Sequence, residues 1–241
     1  MGGCPLLMAC ICAVSFYSSF ASAADSQLLE ILNRADGFID DPDGGPGEVR
    51  YAIEASGYDT NKVVSLMKQL IAEGARRTGS TRFYLSEIGK YGTSADLPFL
   101  YQRVSETNFC ASATEAILRI EGLTTNSLVR ITSSLPDSPR GNRQSAIAWC
   151  RILDVVTKYR SDEPIRIFAL SNAVQFISRQ TESADWLDRG LIRIDPPYRM
   201  SKRRLAMLRS VQALGVGEWQ TNYVAQAIRE LVAYPEANLP E

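Results

Sequence analysis

Seven cations crowd between positions 189 and 209: Arg189, Arg193, Arg199, Lys202, Arg203, Arg204 and Arg209, with Asp195 among them. Six are arginine, whose planar guanidinium pairs bidentately with phosphate or carboxylate. Arg193, Arg199, Lys202, Arg203 and Arg204 are therefore the candidates for gripping an anionic partner, whether an envelope lipid, an acidic polymer or a protein. The competing reading is a solvated helix face paired with Asp185 and Asp188. Arginine outnumbers lysine 21 to 5 along the whole chain, so abundance alone marks no site.

Much other chemistry is closed. The chain has 241 residues and no histidine. No side chain therefore has an unperturbed pKa between pH 5 and 8. Ser-His-Asp and Cys-His nucleophiles are excluded, as are His-bearing zinc sites. Catalysis by paired carboxylates stays open, as do schemes built on Lys or Tyr. No pair of Asp or Glu stands out in the sequence, so no catalytic residue is assigned. No cofactor and no metal site are expected. The run Asp40-Asp41-Pro42-Asp43-Gly44-Gly45-Pro46-Gly47 fails as a calcium loop, because Ala52 stands where a bidentate Glu belongs. A tight acidic turn fits it better. The near-neutral net charge of -1 argues against nucleic-acid binding by the whole body.

The first 23 residues carry no charged side chain. Pro5 to Phe20 is mostly apolar, with Leu6, Leu7, Met8, Ile11, Val14 and Phe16. Ala21-Ser22-Ala23 then supplies small residues before Ala24-Asp25. This reads as a secretory signal peptide over 1–23, cut between Ala23 and Ala24. The apolar run falls short of the ~20 residues that span a bilayer. Leu7-Met8-Ala9-Cys10 offers an alternative, a lipobox that would anchor a lipoprotein through Cys10. Either way the chain is expected outside the cytoplasm, periplasmic or secreted, with no transmembrane span in its mature part.

The elements that must position these residues are helical. Val63, Met67, Leu70 and Ile71 share one face over 60–74, started by Thr60 and closed by Gly74. A second clear pattern covers 163–179, with Pro164 in the first turn. Further helices are predicted at about 26–36, 47–57, 81–91, 95–105, 109–121, 124–134, 142–159, 183–193, 201–214 and 217–233. Ile192-Arg193-Ile194 is too short to count as a strand. The fold class is therefore all-α. Trp149 reads as core, while Trp186, beside Asp185 and Asp188, suits a partly exposed groove; Trp219 falls in the last helix.

Phe109-Cys110-x-x-Ala113-x-x-Ala116-Ile117-x-x-Ile120 places apolar and small residues as the inner helix of a HEAT repeat does. Ala95 to Leu100 looks like the outer helix before it. Arg143-x-x-Ala146-x-x-Trp149-Cys150-x-x-Leu153 echoes the pattern, with fainter copies at Ile165-Arg166-x-x-Ala169 and Arg203-x-x-Ala206. The chain thus resembles HEAT-like α-solenoids, best over 83–122 and loosely over 123–215. The resemblance implies stacked antiparallel helical hairpins, each burying its apolar face against its neighbours. An irregular α bundle is the alternative. Residues 60–241 would form the repeat domain. Residues 24–59 would form an acidic N-terminal helical cap, since nine acids face two arginines there.

Cleavage would leave Cys110 and Cys150. Aligning the repeats sets Cys110 opposite Arg143, so Cys150 lies about 10 Å further along a parallel helix. A disulfide needs Cα atoms about 4.4–6.8 Å apart. Two free buried thiols are expected.

These features favour an exported, non-enzymatic scaffold or protein-binding module with a helical-repeat surface. Its partner would be a protein or an anionic envelope component. A small carboxylate-dependent glycan hydrolase or lyase is the alternative. A HEAT-like DNA-repair glycosylase is similar in size and helix content, but the export signal opposes it.

Overall fold

A helix forms at each of the predicted positions. The computed structural model describes residues 23–38, 45–55, 57, 59–74, 78–136, 142–158, 162–179, 183–215, 218–235 and 238–240. Residues 1–22 of the leader, Cys10 among them, and Asp40 to Gly44 lie outside the described residues, while Ala23 and Ala24 open the first helix. The helices are α1 (Ala23–Phe38), α2 (Gly45–Ala55), α3 (Thr60–Ala72), α4 (Thr78–Tyr91), α5 (Leu97–Val104) and α6 (Cys110–Ile120). The second half has α7 (Thr125–Ser134), α8 (Arg143–Lys158), α9 (Glu163–Ile177), α10 (Ala184–Ile194), α11 (Lys202–Ala213) and α12 (Glu218–Val232). Among the described residues there is no strand, so the all-α class holds.

Local chemistry adjusts several ends. Asp59, not Thr60, caps α3: its carboxylate accepts from the Asn61 amide at 2.9 Å. Gly74 adopts a φ of +65°, which a glycine accepts without a Cβ penalty, and closes the same helix. The helix expected from 95 begins instead as a 3-10 turn over Ser94–Asp96, because Thr93 and Asp96 cap one another reciprocally. Pro164 sits in the first turn of α9 as expected.

Consecutive helices pack as pairs: α1 on α2, α3 on α4, α5 on α6, α9 on α10 and α11 on α12. The even-numbered helices also pack side by side, α4 on α6, α6 on α8, α8 on α10 and α10 on α12. Their contacts fix the direction. Arg82, early in α4, donates to the carbonyl of Asn108 just before α6, and Gly89, late in α4, lies against Ala116, late in α6. Cys110 stands beside Ser145 at the starts of α6 and α8, and Glu115 pairs with Arg151 further along both. The neighbours therefore run parallel. At one end, Glu87 of α4 takes Arg50 of α2 at 2.6 Å, and Lys90 of α4 takes Glu54 of α2.

One apolar cluster runs through the molecule, from Leu28 and Val49 through Ile88, Ile117, Trp149 and Leu191 to Leu231. The acidic segment read as a cap thus shares its core with the rest. Trp149 is buried there, its ring 5.8 Å from Phe176. Both described cysteines are free, Cys110 buried and Cys150 half-buried. Cys110 Sγ lies 3.8 Å from Ser145 Oγ, so it faces Ser145 rather than Arg143. Cys150, five residues on, is still about 7.5 Å further along the axis. Burial, then the charge of Asp154, push the Cys150 thiol up to about 11, keeping it protonated near neutrality.

The tightest approach in the even layer generates a prediction. A Cβ at Gly89 would lie 2.6 Å from Ala116 Cα and 2.9 Å from its Cβ. Gly89→Ala should therefore cost about 1–3 kcal/mol, since backbone must move. A Cβ at Gly47, in α2, meets nothing within 4 Å. Gly47→Ala should stabilise by about 0.5–1 kcal/mol. Urea unfolding of both variants reads the opposite signs, and a neutral Gly89→Ala would contradict the close approach.

Candidate functional site

Parallel packing of α6 and α8 leaves a groove of about 810 Å³ along their C-terminal halves. α6 contributes Glu115, Leu118 and Arg119 at helical spacing, and α8 contributes Arg151, Asp154, Val155 and Lys158. The turn after α6 adds Leu123, and the start of α9 adds Ile165. Leu118, Leu123, Val155 and Ile165 supply the apolar part. The rim is charged and internally paired. Glu115 accepts from Arg119 at 2.6 Å and meets Arg151 at 3.4 Å. Asp154 meets Arg193 of α10 at 3.0 Å. Among the described residues, no group of three or more Cys, Asp or Glu is placed to hold a metal ion.

The structure divides the cationic residues singled out in the sequence. Arg193 is exposed and belongs to the rim of this groove through Asp154. Arg199 lies on the 3-10 turn Pro196–Met200 and is exposed, as is Arg203 at the start of α11. Lys202 is half-buried, and its amide donates to the Pro240 carbonyl at 2.8 Å. Arg204 must be corrected. It is only 4% exposed and cannot join a surface patch.

Arg204 instead closes a buried polar cluster between α10, α11 and α12. Its Nε and Nη2 donate to the Asp188 carboxylate, Nη2 at 2.8 Å from Oδ2. Its Nη1 donates to the Arg199 carbonyl at 2.9 Å. Tyr223 Oη donates to Asp188 Oδ2 at 2.7 Å. Asp188 is fully buried, and the bonds it accepts from Arg204 and Tyr223 offset its desolvation. Burial works against the Arg204 charge, but the bonds to Asp188 outweigh it and raise the guanidinium pKa. Burial and the Asp188 charge push the Tyr223 hydroxyl up to about 12. Tyr198 Oη, also buried, moves up for the same two reasons.

Trp186 is 53% exposed on α10, as its neighbours suggested. Asp185 beside it is buried, so the pairing expected on a solvated face is not what holds it. The sequence reading missed the α6/α8 groove. Its signal was present as Glu115-x-x-x-Arg119 and Arg151-x-x-Asp154-x-x-x-Lys158, charges spaced along one helix face. Only the parallel register brings the two stripes together.

In comparisons with protein-family models, curated proteins and solved structures, nothing matches this chain.

The buried cluster makes two predictions. Arg204→Met leaves Asp188 buried and unpaired, and should cost about 3–5 kcal/mol in urea unfolding. Arg203→Gln, one residue away and exposed, should stay within about 0.5 kcal/mol. The raised Tyr223 pKa stabilises the fold fully below its ordinary value of 10.0 and loses that contribution as pH rises through about 12. Tyr223→Phe should therefore show a shallower loss of stability across that alkaline range, and an unchanged slope would contradict the assignment.

Proposed function

We propose that this chain is an exported, non-enzymatic scaffold of HEAT-like type, which seats a protein partner on the exposed face of its even-numbered helices. The observation that carries this reading is the α6/α8 groove. Its apolar residues and internally paired charged rim match the anatomy of a protein-binding surface. The side-by-side parallel packing of α4, α6, α8 and α10 supports the HEAT-like part, since inner helices of such repeats stack in this manner. Export rests on the apolar run before Ala21-Ser22-Ala23, with lipid anchoring through Cys10 as its variant. No helix among the described residues is long and apolar enough to cross a membrane.

The carboxylate-enzyme alternative draws on the same groove, where Glu115, Asp154 and Asp162 are lining residues. The geometry favours it less. Glu115 and Asp154 are each already engaged by guanidinium groups. A glycosidase acid needs surroundings that favour its neutral form.

Photo-crosslinking in the producing cell tests the proposal. A benzoylphenylalanine replaces Val155 in the groove or Gln102, exposed on α5. Discrete protein adducts are expected from position 155 and not from 102. Adducts from neither position, or equally from both, would contradict docking on the even-numbered face.

A further inference from the structure

The opposite end of the parallel layer carries a different chemistry. An open cavity of about 550 Å³ lies where α4, α6 and α8 begin, lined by Arg82, Thr107, Asn108, Asn142, Arg143 and Gln144. Among the described residues no carboxylate lines it. Neither arginine makes an ion pair among the described residues, in contrast to the paired rim of the α6/α8 groove. Arg82 is held in place by its Nε, which donates to the Asn108 carbonyl at 2.9 Å. Both of its terminal nitrogens stay available.

Asn142 supplies a second, independent observation. It is nine-tenths buried at the cavity wall. Its Oδ1 accepts from the Gln144 amide at 2.9 Å and caps α8. Its side-chain NH2 has no hydrogen-bond partner among the described residues. The cavity thus offers two cations, a buried amide donor, and neutral polar groups from Thr107, Asn108 and Gln144. The positive ends of the α6 and α8 dipoles add to the field.

We infer that this cavity binds a small hydroxylated oxyanion, a sugar acid or sugar phosphate. The arginines recognise the anionic group in the bidentate manner that guanidinium favours. The amides and the threonine hydroxyl exchange hydrogen bonds with ring hydroxyls. Charge alone would select any anion, and the amides alone any sugar. The combination selects molecules carrying both features. The inference is independent of partner docking at the groove, which lies at the other end of these helices.

Titration calorimetry of the purified protein with glucuronate, glucose 6-phosphate, glucose and inorganic phosphate tests it. Either sugar anion should bind at least about tenfold tighter than both glucose and inorganic phosphate. The stronger of the two identifies the anionic group as carboxylate or phosphate. Arg82→Gln with Arg143→Gln should weaken that binding by about tenfold or more. Asn142→Ser keeps a residue able to cap α8 and should weaken it by about threefold with unchanged unfolding. No binding of either sugar anion at 10 mM, about the upper end of useful weak affinity, would overturn the inference. So would equal affinity for glucose or for inorganic phosphate, or full binding by the double variant.

Discussion

The close approach of α4 and α6 at Gly89 and Ala116 sets the register on which the rest of the structure depends. With no side chain at 89, the two helices meet almost backbone to backbone. Arg82 at Asn108 then matches the two starts. α8 and α10 continue the same direction, so like ends of four helices lie together. Like dipole ends repel. A basic residue in the last turn of each even helix from α4 to α12 answers this: Lys90, Arg119, Lys158, Arg193 and Arg229. Among the described residues Lys90 bonds Glu54, Arg119 bonds Glu115 and Arg193 bonds Asp154, acids of the same layer.

Parallel order makes the two ends of the layer chemically unlike. At the C-terminal ends the charges neutralise one another around aliphatic side chains, which suits a protein surface. At the N-terminal ends Arg82 and Arg143 meet positive helix ends with no acid among the described cavity residues, which suits an anion. The far end of the molecule needs a different device. There Arg204 and Asp188 tie α10 to α11, and Tyr223 brings in α12. This pair is held by directional bonds rather than by exposure. It resists replacement of one member more than replacement of both by well-packed apolar groups.

Helix positions were legible in the sequence because they follow from local chemistry. Pro164, Gly74 and the 3.6-residue spacing of Val63, Met67, Leu70 and Ile71 act within a few residues of themselves. The all-α class and the buried Trp149 followed from the same signals, whereas the unpaired cysteines followed from a repeat alignment that the structure shifts by two residues, from Arg143 to Ser145. The site was less legible. Arg203 and Arg204 are neighbours of one type, yet one faces water and the other is buried, because successive helical residues point about 100° apart. Which of them turns inward is decided by Asp188, sixteen residues away on another helix. The groove and the cavity depend on contacts such as Glu115 to Arg151, for which sequence spacing gives no rule. Asn142 looked like an ordinary helix start, and only its burial reveals the spare amide.

The account rests on α6 and α8 lying parallel, and distances between paired spin labels measure that directly. Labels at 119 and 158 mark the C-terminal turns of both helices, and labels at 119 and 143 mark opposite ends. The native cysteines are replaced by alanine. Fifteen residues of α8 separate 143 from 158, about 22 Å at 1.5 Å per residue. The 119–158 distance should be shorter than 119–143 by about 9 Å, after allowing for the lateral offset of the helices. Equal distances, or the reverse order, would contradict the parallel layer and with it both sites.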